Sequence, residues 1–143
     1  MAKPDPVLFD PARYPFKSEI ELRVSDLDLN RHVNNVALVE ILQEGRSRFH
    51  RATDERTRIE NHSLMVAKLS VDFIGQSHYG EPITCHCGII RLGNTSQTIA
   101  QLAMQGGSAV AYGEVVMVSV VDGMPSPHPA AFRQATAQWM IAQ

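Results

Sequence analysis

The order in which the hydrophobic period changes along the chain is the feature that most constrains the fold. Residues 18–24 alternate apolar and polar side chains as a half-buried strand does, and residues 35–51 then carry one apolar stripe at helical spacing. The period afterwards returns to two, and turn residues separate four further predicted strands at 65–73, 83–92, 96–105 and 109–121. Because tight turns join neighbouring antiparallel strands, this order predicts an α+β fold, with an antiparallel sheet of about five strands wrapped around one long helix.

The chain has the size of one domain. It contains 143 residues, which leaves no room for a second domain of ordinary size. Residues 1–16 are interrupted by prolines and show no period, so we expect an irregular N-terminal arm there and a single domain over 17–143. A short helix with Phe132, Ala135 and Trp139 on one side is expected to close the chain.

Charge and cysteine content exclude several classes of function. A net charge of −2 with 20% charged residues offers no basic surface for a nucleic acid. No segment reaches the length of a membrane span, and the N-terminus lacks the apolar core of a signal peptide, so we expect a cytoplasmic protein with neither nucleic acid nor membrane as a partner. Cys85 and Cys87 share one face of a predicted strand, which suits neither a disulfide nor a zinc motif. We expect both to be reduced and packed.

The predicted helix combines an apolar stripe with many charged positions. The stripe consists of Leu38, Ile41, Leu42 and Phe49. A basic stretch begins on the same helix, and a solvated face is the expected role for it. The alternative is that this stretch meets the phosphates of coenzyme A. Its members are Arg46, Arg48, Arg51, Arg56 and Arg58.

A dense polar run at residues 24–35 leads directly into this helix. Asp28, Asn30 and His32 occupy alternate positions, so in an extended segment they would share one face. The first N–H groups of a helix are unpaired and lie at the positive end of its dipole, which suits a carbonyl oxygen that becomes negative in a transition state. A carboxylate, alone or with an imidazole, can act as nucleophile or general base. The run therefore contains the parts of an acyl-transfer site.

The polar run also carries a resemblance to a known family. Its sequence Asp-Leu-Asp-Leu-Asn-Arg-His-Val-Asn-Asn, residues 26–35, resembles the Asp-x-Asp-x-Asn-x-His-Val-Asn-Asn signature of the hotdog thioesterases. It is most similar to the plant and bacterial acyl-ACP thioesterases and is related to the 4-hydroxybenzoyl-CoA thioesterase group. The resemblance implies that Asp28 is the catalytic carboxylate and that Asn30 and His32 support it. It also implies that the backbone N–H near Asn35 polarises the thioester carbonyl.

Two positions depart from the acyl-ACP branch of that family. Gln76 stands where that branch has a glutamate, and an amide cannot act as a base, although it can hydrogen-bond an acyl group or a water. Leu38 stands where many relatives have a tyrosine. Both departures favour an acyl-CoA over an acyl-ACP as substrate, with Gln76 in a substrate-binding role. The alternative for Gln76 is a simple strand-end position.

A metal site is the first competing explanation of the polar run. Asp26, Asp28 and Asn30 have the spacing that opens a calcium loop. Such a loop needs glycine and glutamate at the positions that Arg31 and Ala37 occupy here, so no metal is expected.

Backbone capping is the second competing explanation. We expect Asp26 to satisfy backbone groups of a turn and Asn34 to cap the helix. An imidazole packed under the helix remains an alternative to a catalytic role for His32.

The leading functional prediction is a thioesterase that needs no cofactor. It would hydrolyse an acyl-CoA, or else an acyl-ACP, to a free acid and a thiol, with Asp28 as nucleophile or general base. The alternatives are a hotdog module that binds acyl thioesters without cleaving them, and a hydratase that acts on the acyl chain. Because a sheet this small has open edges, we expect a homodimer, or a homotetramer built as a dimer of dimers.

Overall fold

A six-stranded antiparallel sheet organises the computed structural model, which describes residues 4–54 and 61–142. In space the first five strands follow the order β1-β3-β4-β5-β2, and the short β6 pairs with β5. The strands are β1 (Phe16–Ile20), β2 (His62–Phe73), β3 (Ile83–Leu92), β4 (Ser96–Gln105), β5 (Ser108–Val121) and β6 (Met124–Pro125). β3 and β4 have the predicted bounds, and β3, β4 and β5 form the predicted meander. The prediction is wrong for β2, which pairs with β5 at the other end of this meander and not with β3.

One long helix, α1 (Asn35–Asp54), lies on the inner face of the sheet in contact with β1, β3 and β4. It begins where the sequence predicts and extends past the predicted end at residue 51. At Gly45 the helix comes so close to β3 that an added Cβ would lie 2.4 Å from Cys85 Sγ. The predicted stripe is buried in the core at Leu38, Ile41, Leu42 and Phe49. The α+β arrangement, with the sheet curled around one helix, is confirmed.

The basic stretch on α1 is not a uniform solvated face. Arg46 is only 8% exposed, and its Nη1 donates to Gln101 Oε1 at 3.2 Å. The prediction of a solvated side chain is therefore wrong for Arg46, whose position on the helix turns it toward β4. Arg51 is exposed, as predicted. Arg48 is half-buried and donates to Glu44, Ser18 and the Glu19 carbonyl. The remaining two arginines, at positions 56 and 58, lie outside the described residues.

The first strand lies earlier in the chain than its alternation predicts. β1 ends at Ile20, and Val24–Asp26 form a 3-10 turn in place of a strand end. The reason is local, because the Asp26 carboxylate accepts hydrogen bonds from both the backbone N–H and the guanidinium of Arg23, at 2.8 and 2.9 Å. Those bonds bend the chain, and Val24 is left 68% exposed.

A β-bulge in β2 changes the predicted apolar stripe. The register with β5 shifts between Val66 and Lys68, so Ala67 is the extra residue. After the bulge Leu69 faces the buried Val115, whereas before it Met65 lies opposite Val118 on the other face of the sheet. The sequence predicts one apolar stripe from residue 65 to 73 on a single face of β2. That prediction is wrong for the residues before the bulge. No sequence period reveals this, because a bulge moves every earlier side chain to the other face.

Both ends of the described chain pack on the outer side of the sheet. The predicted irregular arm contains two 3-10 turns, Pro6–Phe9 and Pro11–Arg13, and Tyr14 Oη donates to the Leu8 carbonyl at 2.7 Å. Near the other end of the chain, the Ala142 N–H donates to the Arg13 carbonyl at 3.1 Å. The arm and the C-terminus thus hold each other against the sheet.

The predicted terminal helix is α2 (Ala130–Thr136), with Phe132 buried. Trp139 lies in the 3-10 turn that follows it and packs edge-on against Phe49 of α1, with ring centroids 6.0 Å apart. Among the described residues, no helix combines the length and the hydrophobicity that crossing a bilayer requires.

The two cysteines have the predicted arrangement. Cys85 and Cys87 are buried free thiols on the inner face of β3, with their Sγ atoms 3.9 Å apart. Burial raises the pKa of the Cys87 thiol well above its ordinary value, and the neighbouring Cys85 adds to that rise. Both thiols therefore serve packing under α1.

Gly45→Ala should destabilise the protein although alanine is the better helix former. Its Cβ would lie 2.4 Å from Cys85 Sγ and 2.8 Å from Cys85 Cβ, so α1 must move away from β3. We expect the free energy of unfolding in urea to fall by about 1–3 kcal/mol. Adding Cys85→Ala removes the nearer clash and should restore part of the loss. An unchanged or raised stability of the single variant would contradict the close packing described here.

Candidate active site

The polar run between β1 and α1 forms a closed loop. The Asp28 N–H donates to the His32 carbonyl at 2.8 Å, and the Arg31 N–H donates back to the Asp28 carbonyl at 3.0 Å. Arg31 has φ of 63°, in the left-handed region. The segment is therefore a tight loop, and the extended conformation that would line up alternate side chains is not present.

The Asp28 carboxylate holds this loop with one of its two oxygens. Oδ1 accepts the N–H of Asn30 at 2.8 Å and the N–H of His32 at 3.1 Å. Within residues 4–54 and 61–142, Oδ2 has no hydrogen-bond partner, and the side chain is exposed. One oxygen is thus fixed by structure and the other is open to a ligand or a water.

Asn30 and His32 reach Asp28 through their backbones. The structure shows no side-chain hydrogen bond from either residue to the carboxylate in the described part of the chain. Asn30 is exposed, whereas the His32 ring is half-buried and lies 5.3 Å from the ring of His78, inclined at 64°. The loop therefore brings Asp28, Asn30 and His32 together through the backbone N–H groups of Asn30 and His32, which donate to the Asp28 carboxylate.

The start of α1 lies at the end of the same loop. Asn34 Oδ1 accepts the N–H of Ala37 at 2.8 Å, which confirms the predicted N-cap, and the Asn34 N–H donates to the Asp26 carbonyl at 2.9 Å. Asn35 and Val36, the first two residues of the helix, are exposed. Their N–H groups have no acceptor in the described residues, so they are available to an incoming carbonyl oxygen.

Asp26 has a structural role, as expected. It is buried and bonded to Arg23, as described for β1. Burial alone would raise the pKa of its carboxyl group, but the hydrogen bonds and the charge of Arg23 outweigh that effect and lower the pKa below its usual range. The carboxylate stays ionised and fixes the entry to the loop.

A second loop, between β2 and β3, packs beside the first. The Val33 N–H donates to the Ser77 carbonyl at 3.1 Å, and His32 pairs with His78 in an isolated antiparallel bridge. Gln76 is exposed at the start of this loop and makes no side-chain hydrogen bond to the described residues. The structure thus places Gln76 next to the loop that contains Asp28.

Two residues that support this second loop were missed by sequence reasoning. Ser77 is 1% exposed, and its Oγ has no partner in the part of the chain that the structure describes. The Gln105 side chain accepts the His78 N–H at 2.9 Å and donates to the carbonyls of His78 and Glu81 at 2.8 and 3.0 Å. Neither residue has a period or motif that marks it, because each acts through contacts distant in sequence.

Among the described residues, no three His, Cys, Asp or Glu side chains converge as metal ligands. Both carboxylate oxygens of Asp26 accept hydrogen bonds from Arg23, so Asp26 does not present the first ligand of a calcium loop. What the two loops present is a free carboxylate oxygen, imidazoles and open helix amides.

Comparison with known proteins places the chain in a family. Residues 22–139 match the model of the thioesterase-like superfamily, and the chain belongs to it. No curated protein sequence matches the chain significantly. With the neighbours described next, this membership confirms the hotdog fold and supports thioester hydrolysis as the general activity.

Several solved structures are similar over nearly their whole length. A predicted thioesterase from Bacillus stearothermophilus is 28% identical, with a TM-score of 0.81 over 90% of this chain and 98% of its own. A Thermus thermophilus thioesterase, solved with coenzyme A and zinc, is 26% identical, with a TM-score of 0.76 over 87% of this chain and 93% of its own. A Pseudomonas aeruginosa protein, 22% identical, shares the fold with a TM-score of 0.80 over 92% and 96% of the two chains.

Asn34→Ala should weaken the helix start that the site depends on. The substitution removes the acceptor of the Ala37 N–H, and we expect the free energy of unfolding to fall by about 0.5–2 kcal/mol. Asn34→Asp keeps an acceptor of similar shape and is the matched control, which should retain most of the stability. Equal losses in the two variants, measured by urea unfolding, would show that the cap does not act through this hydrogen bond.

Proposed function

We propose that the protein hydrolyses acyl-CoA thioesters, with acyl-ACP as the second choice of substrate, and that Asp28 is the catalytic carboxylate. The single observation that carries this is the closed loop of residues 26–34. At one end of this loop Asp28 Oδ2, and at the other the amides of Asn35 and Val36, have no partner in the described part of the chain.

The chemistry assigned to each group follows from this arrangement. The thioester carbonyl would accept the Asn35 N–H at the positive end of the helix dipole, which stabilises the developing oxyanion. Asp28 Oδ2 would attack the carbonyl carbon or remove a proton from a water that does so, and both routes use the same free oxygen. The thiolate then leaves and takes up a proton. On the first route a water hydrolyses the resulting acyl–Asp28 anhydride, which releases the acid and restores the carboxylate.

Three neighbouring residues have supporting roles in this proposal. Asn30 and His32 would orient Asp28, since their N–H groups fix its Oδ1. Gln76, exposed in the adjacent loop, would hydrogen-bond the acyl group or the water. The choice of coenzyme A rests on the Thermus relative that was solved with that molecule. We also propose a cytoplasmic location, which is in line with the free thiols of Cys85 and Cys87.

Asp28→Asn should lower kcat by at least roughly 10²-fold while the fold is retained. An amide oxygen can still accept the two N–H groups that hold the loop, but it cannot attack or take a proton. Release of free thiol from a panel of acyl-CoAs of increasing chain length is the measurement. Asp122→Asn, exposed in the turn between β5 and β6, is the control and should leave turnover unchanged.

Two outcomes would count against the enzyme. Turnover of Asp28→Asn within a few-fold of the unaltered protein would remove Asp28 from the chemistry. Saturable binding of acyl-CoAs without any thiol release would replace hydrolysis by the non-catalytic binding module.

We further propose that the protein works as a homodimer joined at the β2 edge. β2 is 12 residues long and pairs only with β5 among the strands that the structure describes, so one row of its backbone groups is unpaired. Its apolar side chains Val66, Leu69 and Phe73 are 51%, 40% and 47% exposed. A second copy, paired antiparallel at this edge, would satisfy the backbone and cover these side chains. A dimer of dimers would repeat this unit.

Sedimentation equilibrium tests the dimer. At micromolar concentration the unaltered protein should have twice the mass of one chain or more. Leu69→Lys puts a charge among the exposed apolar groups of the edge and should shift the protein toward monomer. Lys68→Gln, on the opposite face of the same strand, is the matched control and should remain associated. A monomeric unaltered protein would overturn this assembly.

A further inference from the structure

The guanidinium of Arg46 is a buried cation that has no counterion among the described residues. Arg13, Arg23 and Arg48 each contact a carboxylate, at 3.5, 2.9 and 2.9 Å. Arg46 contacts none in residues 4–54 and 61–142, although it is only 8% exposed. Burial of a charge without a partner is costly, and this burial lowers the pKa of Arg46 below its usual range. The fold therefore maintains an unfavourable charge at this position.

The surroundings of Arg46 are fixed by hydrogen bonds. Gln101 is fully buried, and its Nε2 donates to the Leu42 carbonyl at 2.7 Å and toward the two cysteine Sγ atoms at 3.5 and 3.4 Å. That anchoring leaves Gln101 Oε1 to accept from Arg46 Nη1 at 3.2 Å. A guanidinium has five N–H donors in a rigid fork, and the bond to the neutral Gln101 side chain uses only one of them.

Arg46 also lies on the helical face that begins at the proposed carbonyl site. Val36, Val39, Gln43 and Arg46 follow each other at spacings of three and four residues, so they form one face of α1. Val36, at the helix start, is an apolar side chain that is 70% exposed. Arg46 is about 16 Å along the axis from Asn35. Helical side chains lean toward the N-terminus, and Arg46 Nη1 donates to Gln101, whose Nε2 binds the carbonyl of Leu42 one turn earlier.

We propose that Arg46 binds a carboxylate at the far end of the acyl chain, so that the preferred substrates are thioesters of medium-chain dicarboxylic acids. This inference rests on the proposed function, because it requires the thioester carbonyl at the Asn35 amide. The chain would then run along the Val36 and Val39 face and end at the guanidinium. A carboxylate can take two parallel N–H bonds from the fork, and its charge offsets the cost of burying the cation. A terminal methyl group would leave the charge of Arg46 without a counterion.

The test compares acyl-CoAs that differ only at the distal end. Thiol release is measured for pairs of equal length, one ending in a methyl group and one in a carboxylate, from four to twelve carbons. We expect kcat/KM of the unaltered protein to favour the carboxylate at one medium length by at least about tenfold. Arg46→Met, which keeps length without charge, should abolish or invert that ratio. Arg51→Met, an exposed position on the same helix, should leave the ratio unchanged.

A second variant and a binding measurement separate the possible failures. Arg46→Lys keeps the charge without the fork and should retain part of the preference for the carboxylate-ended member. It replaces Arg46→Met in the test if that variant does not fold. Calorimetric binding of the same pairs to Asp28→Asn needs no turnover. Selective binding of the carboxylate-ended member that depends on Arg46, without hydrolysis of any thioester, would refute the proposed function and support the carboxylate site.

Two results would overturn the carboxylate site. One is hydrolysis by the unaltered protein that does not prefer a distal carboxylate at any length. The other is an equal loss for both members of every pair in Arg46→Met, which would assign Arg46 to packing or to the coenzyme A phosphates.

Discussion

The close contact of α1 with the inner face of the sheet is the constraint on which the rest of the structure depends. Gly45 permits it, because a side chain there would meet Cys85 at 2.4 Å. With the helix held at this depth, Phe49 is fully buried and Gln101 reaches the Leu42 carbonyl. The same contact fixes how the helix lies against the sheet, and therefore where its first amides lie relative to the sheet.

The two acidic residues of the polar loop before α1 have different environments. Asp26 is buried with Arg23 and orders the entry to the loop. Asp28 uses one oxygen to hold the loop, and the other oxygen, which has no partner among the described residues, is the one that we propose to react. Structural and chemical explanations of Asp28 are therefore compatible, and a variant that preserves Oδ1 is needed to tell them apart.

Two features of the single chain are energetically incomplete. In the part of the chain that the structure describes, the edge strand β2 leaves backbone groups and apolar side chains in water, and Arg46 is a buried charge without a carboxylate partner. Each costs free energy that a partner can recover, a second copy in one case and an anionic ligand in the other. We infer that both persist because binding depends on them, in keeping with the polar groups that enzymes bury at specificity sites.

The sequence by itself determined the succession of elements, the start of α1, its Asn34 cap and the motif that contains Asp28. These features depend on spacings of a few residues, which a periodic pattern records directly. Tertiary structure decided the bulge at Ala67, the tight loop around Asp28, the burial of Ser77 and the burial of Arg46. Arg46 meets Gln101 across 55 positions of the chain. Whether such a side chain is solvated or buried depends on which distant strand curls beneath it, and no local pattern contains that information.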